Sequence, residues 1–455
     1  MKEVLKVGVS GVRGVVGASF TPQLAASFAK AFGTYLGEGV VIVGRDTRPT
    51  GPMIEHAVVA GLQSVGCKPV MVGVVPTPSL LYLVRQEGAR GGIMITASHN
   101  SVEWNALKFV DRRGMFLGPI HAEELFDIYH QQDFPFVAES DIRSAVVREE
   151  AVAPHFDKVT SYVDAAAIRG VGLRVAVDCC NGVGALYSRR FLEERLGCKV
   201  DALFDEPTGR FERDPEPLPE NLAALSEATT RLGCAIGFAQ DPDGDRLAVV
   251  DETGRPVGEE ITVALAVRAV LAHHGKGPVA ANLSSGQSVE AVARSFGCEV
   301  TRTQTGEIYV SETMLKIGAV VGGEHTGGII IPAIHPCRDS FGGMAVILEM
   351  MALTGRTISD LCAEIPRYCL MKDKLSIGAQ HAPGILRRLR REYEGHPMNF
   401  LDGLFIDFGD RWVHVRRSNT EPVLRIIAEA PTEEGSAALI TEVRAKAEEG
   451  IVLPG

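Results

Sequence analysis

Three stretches of the 455-residue chain repeat one order of elements: an apolar strand, a polar turn, a helix closed by Gly-Cys, a second strand, then a polar loop after a third strand. The first runs from Val40-Val41-Ile42-Val43-Gly44-Arg45-Asp46 through Gly66-Cys67-Lys68-Pro69-Val70 to Thr96-Ala97-Ser98-His99-Asn100. The second runs from Val175-Ala176-Val177-Asp178 through Gly197-Cys198-Lys199-Val200 to Asp241-Pro242-Asp243-Gly244-Asp245. The third runs from Val279-Ala280-Ala281-Asn282 through Gly297-Cys298-Glu299-Val300 to Gly322-Gly323-Glu324-His325-Thr326-Gly327-Gly328. A Gly just past each helix suits a C-terminus that needs positive φ. Strands alternating with helices predict α/β layers with mixed, largely parallel sheets. The expected architecture is three similar mixed α/β domains, each presenting one loop to a central cleft.

The last fifth breaks this pattern. From about Asp373 it offers a charged helix over 386–393, then three alternating strands near 403–408, 412–415 and 424–428. A final helix starts at Thr432, a good N-cap, and Glu433 and Glu434 favour its positive end. This predicts a smaller α+β C-terminal domain, and domain boundaries at 1–152, 153–255, 256–368 and 369–455. Four domains agree with the length, which exceeds what one core can serve. A charged connection around 367–373, after Ile365-Pro366, is the expected hinge.

Composition narrows the ligands. The formal charge of -11 opposes binding to nucleic acid or an anionic membrane, both of which need a basic face. No apolar run approaches the ~18 residues of a membrane span, and the N-terminal residues lack a signal-peptide core. The nine cysteines show no CxxC pair and no metal-ligand spacing, so reduced thiols in a reducing compartment are expected. The expectation is a cytoplasmic protein acting on small molecules, as a monomer or a homodimer.

Two motifs carry the chemistry. Ser98 follows the apolar run Gly92-Ile93-Met94-Ile95 and should stand at a strand's exit, where α/β enzymes present reactive groups. Asp241, Asp243 and Asp245 follow Ala235-Ile236-Gly237-Phe238-Ala239, and alternate residues of an extended loop can turn their carboxylates to one point. Oxygen ligands of this kind suit Mg²⁺. A calcium-loop reading finds Glu252 at its twelfth position but Arg246 at the sixth, where it needs Gly, and the apolar run after Arg246 reads as strand. A hydroxyl beside such a cluster reads as metal-assisted phosphoryl transfer.

The chain resembles the α-D-phosphohexomutase family. The resemblance rests on Ser10-Gly11-Val12-Arg13-Gly14, Thr96-Ala97-Ser98-His99-Asn100, Asp241-Pro242-Asp243-Gly244-Asp245-Arg246, Gly323-Glu324-His325-Thr326-Gly327 and Arg416-Arg417-Ser418-Asn419-Thr420-Glu421-Pro422, in family order. It implies four domains lining one cleft and a phosphorylated Ser98 that passes its phosphoryl to a hexose 1-phosphate or 6-phosphate. The bisphosphate then turns over and returns its other phosphate. One Mg²⁺ would be held by Asp241, Asp243, Asp245 and a phosphoserine oxygen on Ser98, and hexose 1,6-bisphosphate would serve as activator.

By the same resemblance Arg246 steadies the phosphoserine, Arg13 and Lys108 face the reacting oxygen, and His99 adjoins the nucleophile. Arg416, Ser418, Asn419, Thr420 and Arg425 would hold the nonreacting phosphate, a task suited to a forked guanidinium with hydroxyl and amide donors. Glu324 and Thr326 would contact sugar hydroxyls. The chain departs from the family at Gly328, where many members carry a histidine close to the reacting oxygen. His325 and His335 are the candidates to replace it. Gly327-Gly328, Ile329-Ile330-Ile331-Pro332, His335 and Arg338-Asp339-Ser340 look like the branch often assigned as phosphoglucosamine mutase. Phosphoglucosamine mutase is thus the first expectation and a broad phosphomannomutase/phosphoglucomutase the alternative, with a metal-dependent sugar phosphatase or a noncatalytic sugar-phosphate sensor more remote.

Overall fold

The computed structural model describes residues 5–9, 11–377, 381–417 and 423–449. Four sheets follow one another along the chain, and the first three share one four-strand core. In the first, Gly91–Ile95 lies between Gly39–Arg45, parallel to it, and Trp104–Asp111, antiparallel; Gly39–Arg45 also pairs in parallel with Cys67–Val74. The second repeats this with Ile236–Gln240 between Arg174–Asp178 and Leu247–Asp251, and with Lys199–Leu203 outermost. The third does so with Val321–Glu324 between Val279–Asn282 and Gly328–Ile331, and with Val300–Thr303 outermost.

The repeat of the sequence is therefore a repeat of structure. Gly66, Gly197 and Gly297 all take positive φ, at 80°, 72° and 72°, where the chain leaves a helix for the last strand of the four-strand core. Only two of the three pairings in each core are parallel. The polar loops leave the central strand and enter an antiparallel partner, so all three are hairpin connections rather than strand-to-helix turns.

Packing joins these three units through one hydrophobic core that extends from Ile42 to Ile365. Its centre is the helix Ser340–Thr354, apolar on all sides and capped by Asp339, whose carboxylate accepts from the Phe341 amide at 3.0 Å. Phe341 packs on Phe156 and Phe191 with ring centroids 4.9 and 5.4 Å apart. Each such side chain contributes about 1.5–3 kcal/mol by leaving water.

The C-terminal unit has a separate core, from Leu375 to Ala447, under an antiparallel sheet of five strands. Two of those strands, Cys369–Ser376 and Met398–Asn399, are absent from the sequence expectation. Cys369–Ser376 has a single buried residue, Leu375, and carries Lys372-Asp373-Lys374, so its sequence shows no clean alternation; its eight residues nonetheless all pair with Val423–Ala430. The expected connection at 367–373 is thereby corrected, because from Cys369 onward it is sheet. The charged helix begins at Ala382, four residues before its expected start, with Pro383 in the first turn where a missing N–H costs nothing. The last helix, Glu433–Glu449, is capped as expected, with the Thr432 hydroxyl accepting from the Gly435 amide at 3.1 Å.

Among the described residues no helix is long and apolar enough to cross a membrane. All nine cysteines are free thiols, with only Cys298 and Cys369 as little as half-buried.

Candidate active site

The strand Gly91–Ile95 is buried throughout and delivers its chain end beside that of Gly39–Arg45. Asp46, just past the latter, accepts from the Thr96 hydroxyl at 2.7 Å, and the Thr96 oxygen in turn accepts from the Ser98 amide at 3.0 Å. Arg48 completes the scaffold. Fully buried, it pairs with Asp46 at 3.0 Å and donates to the carbonyls of Ser98, Asn100 and Ser101 at 2.6, 2.6 and 2.7 Å. One guanidinium thus fixes three carbonyls of the loop, and Ser98 sits at φ 48°, a region that a non-glycine residue enters only when its surroundings hold it there.

The Ser98 hydroxyl donates to Asp241 Oδ2 at 2.7 Å, and His99 Nδ1 lies 3.4 Å from the same hydroxyl oxygen. Asp241 Oδ1 accepts from the amides of Asp245 and Arg246, both at 3.1 Å, which curls the loop around it. Asp241, Asp243 and Asp245 are all buried, and each offers an oxygen within 4.8 Å of the others'. Asp243 Oδ2 is held by Lys108 at 2.8 Å and by the Thr77 hydroxyl at 2.7 Å; Asp245 Oδ2 is held by Arg338 at 2.6 Å. The second oxygen of each, Asp243 Oδ1 and Asp245 Oδ1, is buried without a hydrogen-bond partner. Two orphaned carboxylate oxygens beside a third carboxylate and a serine hydroxyl are the donor set of a hard divalent cation, so these residues fit Mg²⁺.

Burial raises the Asp241 carboxyl well above the usual range, and the neighbouring Asp243 and Asp245 push the same way. Burial also opposes ionisation of Asp243, but the Lys108 ammonium and its hydrogen bond win and hold that carboxyl below the usual range. His99 is driven well below ordinary histidine by burial and by Arg246 and Arg13. The ring is thus neutral beside the serine.

Arg13 donates to the Asn100 side chain at 2.7 Å, and Arg246 pairs with Glu216 at 2.9 Å. Both line one cavity with Ser98, His99, Lys108 and Glu324. Glu324, at the end of its strand, accepts from Asn282 and the Gly306 amide on one oxygen, at 3.0 and 2.8 Å, and from Arg338 on the other at 3.1 Å. Thr326 occupies the following turn, half-buried. Arg416 is buried and donates to Asp402 at 2.8 Å, and Arg425 stands directly opposite it on the adjacent strand. Ser418, Asn419 and Thr420 lie outside the described residues, as does Ser10.

One candidate is corrected. His335 does not face the cavity near Ser98: its Nε2 donates to the Gly114 carbonyl at 2.7 Å, its ring packs on Tyr82, and burial lowers it to about 4. His325 pairs with the Asn282 side chain and is held well below ordinary histidine by burial and by Lys372 and Arg246. Sequence reasoning missed Arg48, Thr77 and Glu307, and gave Arg338 no role at the site. The polar cluster Arg45-Asp46-Thr47-Arg48 at the end of a repeat strand was the available signal for the first.

The descriptions of the four phosphoglucomutase/phosphomannomutase domains match the chain in order: α/β/α domain I at residues 4–136, domain II at 153–254, domain III at 258–368 and the C-terminal domain at 372–446. A protein of Methanopyrus kandleri named "probable phosphoglucosamine mutase" is 38% identical over 96% of both chains. A phosphoglucomutase/phosphomannomutase of Thermococcus kodakarensis is 36% identical over 94% of this chain and 95% of its own. The crystal structure of a phosphoglucomutase/phosphomannomutase family protein from Burkholderia thailandensis shares the fold, with a TM-score of 0.84 at 24% identity, covering 99% of this chain and 98% of that one. The chain belongs to the phosphoglucomutase/phosphomannomutase family and is a phosphohexomutase, an isomerase that works by intramolecular phosphoryl transfer.

Proposed function

We propose that the protein interconverts glucosamine 1-phosphate and glucosamine 6-phosphate through a phosphoserine at Ser98 and a bisphosphorylated sugar. The observation that carries this reading is the 2.7 Å contact between the Ser98 hydroxyl and Asp241, inside a carboxylate cluster with two orphaned oxygens. In the first half-reaction a sugar hydroxyl attacks the phosphorus on Ser98. The bond from phosphorus to Ser98 Oγ breaks, and the proton of the sugar hydroxyl ends on Oγ. The serine is then poised as described, donating to Asp241. The second half-reaction runs the same step backwards with the other phosphate of the bisphosphate.

Bound by Asp241, Asp243, Asp245 and a phosphoserine oxygen, one Mg²⁺ would neutralise charge on the transferring group. The chain's residues do the rest by position and fixed charge, which is what phosphoryl transfer chiefly requires. Arg48 holds the serine loop, Lys108 orients Asp243, and Arg13 and Arg246 add positive charge on the cavity side of Ser98. Glu324 and Thr326 would face sugar hydroxyls. Arg416 and Arg425 stand opposite one another on paired strands, two guanidiniums of the kind that bind phosphate. Asp402 orients Arg416, and the two arginines would hold the nonreacting phosphate, with Ser418, Asn419 and Thr420 as further donors and hexose 1,6-bisphosphate as the activator that restores phosphoserine. The four domains would span 1–152, 153–255, 256–368 and 369–455, carrying phosphoserine, metal, sugar and phosphate functions in that order.

The amino sugar is favoured by the name of the Methanopyrus relative; the Thermococcus relative's name favours a broad phosphoglucomutase/phosphomannomutase. Comparing kcat/KM for glucosamine, N-acetylglucosamine, glucose and mannose 1-phosphates tests the choice. Glucosamine 1-phosphate is expected to lead by about tenfold or more, since one differing polar group is worth that much at a site built to bind it. Equal turnover of glucose and mannose 1-phosphates would establish the broad reading, and release of inorganic phosphate as the main product would establish a phosphatase.

A further inference from the structure

Arg338, on the short strand His335–Arg338, reaches residues of three separate segments. One terminal nitrogen donates to Asp245 Oδ2 at 2.6 Å, the other to Glu324 Oε2 at 3.1 Å, and Nε lies 3.0 Å from Glu307 Oε2. Its backbone amide donates to the other Glu307 oxygen at 3.1 Å. Among these partners Asp245 belongs to the carboxylate cluster, Glu324 to the end of the strand Val321–Glu324, and Glu307 to the start of a helix that lines the cavity. The stem of Arg338 also crosses Gly328 so closely that a β-carbon there would lie 2.3 Å from Arg338 Cδ. Gly328 is thus the complement of Arg338: a β-carbon at 328 forces the arginine stem to shift.

We propose that Arg338 is the positioning residue that couples the metal loop to the sugar loop, orienting Asp245 and Glu324 with the two ends of one guanidinium. This rests on the reading of the Asp cluster as a cation site and of Glu324 as a sugar contact. Holding Asp245 by Oδ2 leaves Oδ1, buried and without a hydrogen-bond partner, available to a cation. Holding Glu324 by Oε2 fixes the same carboxylate that Asn282 and Gly306 secure from the other side. The planar fork serves both at once in a fixed relative geometry, which the freely rotating donors of an ammonium do not impose. Sugar binding at Glu324 is therefore felt at Asp245 through a single rigid group.

The test measures Mn²⁺ affinity of the full-length protein by the paramagnetic resonance of free Mn²⁺, without any turnover. The variants are Glu324→Gln, Arg338→Lys and the pair together. Arg338→Lys weakens Mn²⁺ binding by about tenfold, as loss of a group that orients a ligand does. Glu324→Gln, which touches no aspartate of the cluster, shifts Mn²⁺ affinity by about threefold in the wild-type background and not at all when combined with Arg338→Lys, the signature of coupling through the shared partner. Gly328→Ala reproduces the Arg338→Lys effect with the arginine still in the chain, so the test survives if Arg338→Lys fails to fold. An Mn²⁺ affinity untouched by Glu324→Gln, or shifted equally in both backgrounds, overturns the coupling. If wild-type protein binds Mn²⁺ with this coupling yet fails to interconvert sugar phosphates, the functional reading falls and the coupling stands.

Discussion

The Ser284 hydroxyl lies 3.0 Å from Nδ1 of His414, both residues fully buried, and this contact ties the third repeat to the C-terminal sheet. The other His414 nitrogen donates to the Asp402 carbonyl. Burial lowers the ring to about 4, so it is neutral near pH 7, and with one nitrogen donating to Asp402 the other accepts from the Ser284 hydroxyl. Around it run further polar contacts between the two units: Gln287 amide to Glu429 at 2.9 Å, and Thr305 amide to Asp402 at 3.1 Å. One apolar core runs through the first three units, whereas no described residue of the fourth belongs to it; the fourth has a core of its own and is tied to the third by such polar pairs.

Acid should loosen this junction. Unfolded His414 titrates near 6.5, so between about pH 6.5 and 4 the unfolded chain binds a proton that the folded chain does not, and stability is lost as pH falls through that window. Buried Glu260, raised to about 8 by burial, titrates in the opposite sense and gains stability as pH falls from 8 towards 4.5. Comparing His414→Gln with wild type isolates the histidine. In urea unfolding the wild type should lose about 1–3 kcal/mol more than the variant between about pH 6.5 and pH 4. Parallel pH profiles would show that the imidazole is not buried in its neutral form.

Ser98→Ala removes the covalent path and should lower kcat by at least ~10³-fold. Intact-mass analysis should find one phosphate on wild-type protein after exposure to hexose 1,6-bisphosphate and none on the variant. A variant with full activity, or a wild type that never carries phosphate, would refute the phosphoserine route.

Asp243→Asn takes one charge from an oxygen-only site and should weaken Mg²⁺ binding and phosphoryl transfer together. The fold should persist, because Lys108 keeps Asp245 3.7 Å away as a partner. Chelated wild-type enzyme should be inactive and recover on addition of Mg²⁺. Undiminished turnover in excess chelator would contradict the metal site.

What was legible in the sequence were contiguous motifs at strand ends. Ser98 and the three aspartates follow apolar runs whose strands are central in their sheets, so spacing along the chain equals placement in space. Arg48 and Arg338 were not legible in this way. A buried arginine looks like a surface charge until the carbonyls and carboxylates around it are placed, and here the Ser98 carbonyl lies 50 positions from Arg48 and Asp245 lies 93 from Arg338. The strand Cys369–Ser376 escaped because pairing along its whole length, rather than burial of one face, holds it in the sheet. His335 misled because its neighbour in space, Gly114, belongs to a different repeat.

The C-terminal unit should act as a phosphate clamp that opens and closes during the cycle. A bisphosphate must reverse its ends without escaping, so the group that holds the nonreacting phosphate has to bind either end and then let go; closure of a unit over the ligand meets both needs. The unit is suited to this by its separate core and its polar junction with the third repeat, and the chain between residues 364 and 368 is free of helix or strand. Arg416, pinned by Asp402 at 2.8 Å and facing Arg425 across the sheet, is the natural anchor. Arg416→Ala should raise KM for the hexose phosphate and increase release of the bisphosphate, at a cost of about 1.5–3 kcal/mol for a charge-assisted hydrogen bond, while leaving phosphorylation of Ser98 by added bisphosphate nearly unchanged. Trapping released bisphosphate during turnover measures the leak directly. Wild-type KM with no extra release would show that Arg416 is not the anchor, and identical solution scattering with and without glucosamine 6-phosphate would show that the unit does not move.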